Sequence, residues 1–70
     1  MKDNFKKYVA VQYSGIYNML MNANDAMELA GLNKNDYWYV IEHYSELKEE
    51  YPEAFEEGKK IGEQMRSKIG

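Results

Sequence analysis

Seventy residues without a cysteine make one domain near the lower size limit for a self-sufficient core, and they exclude a disulfide framework or a thiolate metal site. Apolar residues at 44% exclude a disordered chain, and a charged share of 30% is ordinary for a soluble surface. A net charge of −3 argues against nonspecific nucleic-acid binding by the whole domain, because neutralising phosphates takes clustered Lys and Arg.

So small a core needs support. It can come from seven Tyr, two Phe and one Trp, each able to bury a large area, or from a core shared between two copies. No run approaches the roughly 18 apolar residues of a membrane span. The opening MKDNFKKYVAVQYSG carries charge and tyrosines where a signal peptide has an apolar centre, so a cytoplasmic location with no membrane partner is expected.

Asp3 is the expected N-cap of a first helix, in which Phe5, Tyr8, Val9, Tyr13, Ile16 and Leu20 recur at three- and four-residue steps. Gly15 interrupts this stripe. Inside a helix over 3–20 it costs about 1 kcal/mol relative to Ala; alternatively it ends the helix, and both readings are open. Asn22, Asn24 and Asp25 are cap-forming residues around the start of a second helix over 23–30, which is expected to bury Ala26, Met27, Leu29 and Ala30. Gly31 suits the left-handed residue after a helix, and Leu32 then enters the core. Asn33 caps a third helix over 34–51, with Asp36 favouring its positive start and Tyr37, Val40, Ile41, Tyr44, Leu47 and Tyr51 on its inner stripe.

Pro52 stops or kinks that helix and suits the first turn of a fourth, over 53–66. There Phe55, Gly58, Ile61, Gly62 and Met65 form a thin stripe. Its two glycines weaken the helix but permit close approach to a neighbour's backbone. Ser67 to Gly70 are expected to fray. With no alternating strand pattern, the fold expected is an all-α, compact bundle of three to four helices.

Charge is unevenly spread. Residues 1–44 carry net −1; Glu46, Glu49, Glu50, Glu53, Glu56 and Glu57 against Lys48 make residues 45–57 net −5; Lys59, Lys60, Arg66 and Lys68 against Glu63 make residues 58–70 net +3. Such a block is ordinarily a solvated helix surface, and functionally it is an acidic face for a basic partner, able to imitate phosphates.

Catalytic chemistry finds little footing. The single histidine, His43, reads as a surface residue, and zinc's usual four ligands have no recognisable spacing here. Ser14, Ser45 and Ser67 lack a histidine at a suggestive distance along the chain, and the glutamates lack the turn glycines of a calcium loop. A protein without enzymatic activity, metal or cofactor is expected.

Two constellations point to binding. Around Gly31 the layout is that of a helix-turn-helix, with Ala26, Ala30, Leu32, Tyr37 and Val40 where such a motif packs its two helices, although Met27 and Tyr37 are bulky for their places. A DNA-reading version would present Asn33, Lys34 and Asn35 to bases, use Lys6, Lys7, Lys59 or Lys60 on phosphates, and require a dimer; a plain helical hairpin is the simpler reading. Separately, at about 100° per residue Trp38 falls at the edge of the inner stripe and Tyr39 points away from it. Exposed Trp and Tyr on a rigid helix are common interface anchors, the alternative being that Trp38 packs on the first or fourth helix and Tyr39 lies flat on the surface.

The stretch with Gln12, Ser14, Gly15, Asn18 and Met19 (Q-x-S-G-x-x-N-M), then Gly31-Leu32, then Ile41, Tyr44, Leu47 and Tyr51 (I-x-x-Y-x-x-L-x-x-x-Y) resembles small orphan helical proteins carried by phages and prophages. The likeness spans residues 5–52. It implies a context without assigning any residue a role: small phage proteins commonly bind and block a host machine, including restriction and CRISPR nucleases, or regulate transcription. The leading expectation is therefore a protein-binding inhibitor of a host or defence factor that contacts its partner through Trp38, Tyr39 and the glutamates from Glu46 to Glu57. The competing one is a dimeric helix-turn-helix regulator, and a third is an accessory that only completes a homo-oligomer.

Overall fold

The computed structural model describes residues 1–69, and every regular element in it is an α-helix. In chain order these are α1 (Lys2–Ser14), α2 (Ala23–Ala30), α3 (Lys34–Glu42), α4 (Tyr44–Glu50) and α5 (Pro52–Ile69). The all-α expectation holds; the expected three or four helices become five.

α1 is the hub. It carries the most buried surface, Phe5, Tyr8, Val9, Ala10 and Val11, and packs against α5, α2 and α3. α5 lies along it in the same direction, with Lys2 facing Glu53, Lys6 facing Glu57, and Val9 and Tyr13 meeting Gly58 and Gly62. The two glycines let the backbones touch: a Cβ on Gly58 would sit 2.7 Å from the Lys6 carbonyl oxygen, and one on Gly62 2.5 Å from that of Ala10. Small residues four apart permit this approach between helices, and it gives α5 a seam of Ala54, Gly58 and Gly62 that replaces the bulky stripe it lacks.

α1 stops at Ser14 because Gly15 takes φ 68°, a left-handed conformation that closes the helix. The Ser14 hydroxyl donates to the Val11 carbonyl at 2.6 Å. A turn segment over 16–22 follows, held by Asn18, whose Oδ1 accepts the N–H groups of Leu20 and Met21 at 2.9 Å each. The Tyr37 hydroxyl pins it from below by donating to the Met19 carbonyl at 2.6 Å. With the helix ended, Ile16 is only half-buried and Leu20 is 65% exposed, so the expected stripe does not continue. Met1, not Asp3, is the N-cap; Asp3 sits in the first turn.

The α2–α3 hairpin follows local chemistry closely. Gly31 at φ 72° donates to the Glu28 carbonyl while Leu32 donates to that of Met27, the paired bonds of a Schellman cap. The Asn33 side chain accepts the Asp36 N–H at 2.8 Å and starts α3. Leu32 is buried as expected, whereas Leu29 lies on the outer side of α2 at 43% exposure. Each helix of the hairpin packs on α1 more than on the other.

The expected helix over 34–51 is interrupted at His43, whose φ −114°, ψ 24° leaves helical geometry. No glycine or proline causes this. Packing does: the Tyr44 ring stands in T-shaped contact with Phe5 and Tyr8, centroids 5.5 and 5.9 Å away, and its hydroxyl donates to Gln12 at 2.7 Å, while Leu47 is buried one turn on, where α4 meets α5. Tyr51 ends α4 and Pro52 opens α5, as its fixed φ favours. α5 is longer than the expected 53–66: Ser67 to Ile69 belong to it, and Gly70, the last residue expected to fray, lies outside the described residues. No helix among the described residues is long and apolar enough to cross a membrane.

Candidate functional site

α3 turns Tyr37 and Val40 fully inward and half-buries Ile41, which leaves Asn35, Tyr39 and Glu42 on its outer side. Trp38 is half-buried at the edge of that side, its ring perpendicular to Tyr37 with centroids 5.7 Å apart. Tyr39 is 45% exposed and lies over the His43 ring at 4.3 Å with a 34° tilt. Neither aromatic is sealed inside. Trp38 offers an edge, and Tyr39 offers a face made rigid by the ring beneath it.

His43 is the residue that sequence reasoning undervalued. It ends α3, starts α4, supports Tyr39 and holds Glu46 through Nδ1 at 3.3 Å. The i,i+4 spacing to Tyr39 and the i,i+3 spacing to Glu46 were visible in the sequence, but a continuous helix hid the junction. Beyond it, the negative charge of Glu50 beside Tyr51 raises that hydroxyl above its ordinary value.

The six glutamates are divided between two helices, Glu46, Glu49 and Glu50 on α4 and Glu53, Glu56 and Glu57 on α5. All are exposed. Glu53 faces Lys2 at 3.9 Å and Glu57 faces Lys6 at 3.6 Å, so α1 neutralises that end of the acidic surface. Both pairs lie in water and add little stability. Glu49, Glu50 and Glu56 have no ionic partner within 4.0 Å among the described residues. Lys48, the one cation in this stretch of sequence, places its ammonium 4.5 Å from the Phe55 ring centre. On α4 the unpaired carboxylates, Glu49 and Glu50, therefore follow Glu46, which His43 holds beneath Tyr39.

The residues that would read DNA are placed less favourably. Asn33, Lys34 and Asn35 are exposed at the front of α3, but the Asn33 oxygen is committed to its cap. Lys6 is held by Glu57, and Lys59 reaches over the Tyr13 ring at 5.8 Å. Lys7 and Lys60 are exposed. Among the described residues no group of three or more His, Cys, Asp or Glu is arranged to hold a metal ion. No family model, curated protein or solved structure matches the chain significantly.

Proposed function

We propose that this chain is a non-enzymatic protein that works by binding another protein, in the manner of small phage-encoded inhibitors of a host or defence factor. The observation that carries the proposal is the junction of α3 and α4. There an exposed Tyr39, braced by His43, stands beside Glu46 at the start of an acidic surface, with the Trp38 edge nearby. A rigid aromatic next to carboxylates suits a partner that presents an apolar pocket rimmed by Lys or Arg. The exposed carboxylates of Glu49 and Glu50 on α4, with Glu56 on α5, imitate phosphates toward a basic groove.

The test is capture of a partner from bacterial lysate by the wild type and by a variant carrying Glu46→Lys, Glu49→Lys, Glu50→Lys and Glu56→Lys. Loss of capture supports the acidic surface; undiminished capture removes the imitation of phosphates. A dimeric helix-turn-helix regulator is the competing proposal, favoured by the exposed Lys34 and Asn35 behind the Gly31 turn. It predicts a mobility shift with promoter DNA at low salt that Lys34→Ala weakens. No shift with any fragment, using a verified dimer, eliminates it.

A further inference from the structure

A second feature lies on the opposite side of α3 from Tyr39. Between α1, the turn segment over 16–22 and the α3–α4 junction there is an open surface cleft of about 370 Å³. Met19, Leu20 and Ile41 supply its apolar lining, and Tyr8, Gln12, Asn18 and Tyr44 supply the polar groups.

Tyr8, Gln12 and Asn18 each hold a free donor there, while the Tyr44 hydroxyl, which gives its proton to Gln12, offers only its lone pairs. Tyr8 is 5% exposed, yet its hydroxyl has no hydrogen-bond partner among the described residues. No fully buried side-chain polar atom there lacks a partner, so this hydroxyl opens onto the cleft its ring lines. The Asn18 oxygen is occupied by the N–H groups of Leu20 and Met21, which fixes the orientation of the amide and leaves its NH2 as the free end. The Gln12 oxygen accepts from Tyr44, so its NH2 is likewise unengaged. No charged residue lines the space. Burial, with the neighbouring Tyr37 and Tyr44, pushes the Tyr8 hydroxyl up to about 12, so it keeps its proton as a donor across the physiological range.

We propose that this cleft binds an uncharged molecule with a carbonyl oxygen and a small branched apolar body, the oxygen accepting from Tyr8 and the body resting on Met19, Leu20 and Ile41. A carboxylate gains no ion pair there, since no cation lines the cleft. The proposal is independent of the partner surface on α3 and α4.

The test is titration of the isotope-labelled protein with N-acetyl-leucine methylamide, followed in ¹⁵N–¹H correlation spectra. Shifts are expected in the side-chain amides of Gln12 and Asn18 and in the backbone of Met19, Leu20, Ile41 and Tyr44. Tyr8→Phe keeps the ring and should weaken binding about fivefold, the worth of one net hydrogen bond. Leu20→Ser changes a residue already 65% exposed, so it leaves the fold in place and provides a second weakening variant. No shift at the cleft up to the solubility of the probe overturns the proposal, as does equal binding by both variants. Equal binding of 4-methylpentanoate overturns the assignment to an uncharged ligand.

Discussion

Substituting Gly62 or Gly58 by alanine tests the α1–α5 seam on which the fold depends. A Cβ on Gly62 would lie 2.5 Å from the Ala10 carbonyl oxygen, 2.7 Å from the Tyr13 Cβ and 2.9 Å from the Ser14 nitrogen. At Gly58 it would lie 2.7 Å from the Lys6 carbonyl oxygen and 2.8 Å from the Val9 Cβ. Ordinary contact begins near 3.4 Å, so the helices must part by up to about 1 Å; the opposing atoms are backbone and Cβ, which no rotamer change can move aside. Overpacking of this kind costs about 3 kcal/mol, and alanine's better helix propensity returns about 1, leaving a net loss of about 2 kcal/mol for either variant.

For a domain of this size that loss corresponds to a fall in Tm of about 8–16 °C. The double variant should lose less than the sum, because helices already parted for one methyl admit the second more easily. Thermal and urea melts followed by circular dichroism provide the assay, with Gln64→Ala on the exposed side of α5 as a propensity control. If Gly62→Ala melts at or above the wild-type temperature, propensity outweighs contact and the seam is not as close as described.

Three further outcomes are expected. Tyr37→Phe removes the 2.6 Å bond to the Met19 carbonyl, which should cost about 1 kcal/mol and speed amide exchange in the segment over 16–22 while leaving α5 unchanged. Gly31→Ala forces an alanine to φ 72° with open space around it, so the cost is backbone strain alone, about 1–2 kcal/mol by melting, and Gly31→Asn should recover part of it. Stability should fall at alkaline pH: Tyr8 is raised from 10.0 to about 12 by burial, and Tyr37 and Tyr44 are raised for the same leading reason. The folded state therefore holds these protons more tightly, and its advantage is complete below pH 10 and lost as pH climbs toward 12. A phenolate absorbance titration should show a late-ionising group coincident with unfolding, and Tyr8→Phe should flatten the decline.

The parts of the fold legible in the sequence were those governed by neighbours in the chain. Gly31, Leu32 and Asn33 marked the hairpin because cap geometry needs particular residues at adjacent positions, and Pro52 marked the start of α5 for the same reason. The glycines of α5 signalled a close approach, though not that α1 was the partner. Periodicity left the end of α1 open, since a stripe through Ile16 and Leu20 is as regular as one that stops at Ser14.

What escaped was set by distant packing. The break at His43 follows from the demands of Phe5, Tyr8 and Gln12 on Tyr44, none of them near it in sequence. The candidate site divides similarly. The exposure of Tyr39 followed from its angle on the helix, whereas its brace on His43 depended on the unseen junction. The capture of Glu57 and Lys6 by each other is a contact between the chain's two ends, invisible to any local count of charge.

The claim that a partner is recognised at the α3–α4 junction is tested most directly by amide exchange of the protein in complex with whatever it captures. Slowed exchange should centre on Tyr39 to Glu50 and extend into the first turn of α5. Protection confined to α2 and the front of α3 around Lys34, with the junction exchanging as in the free protein, would contradict it.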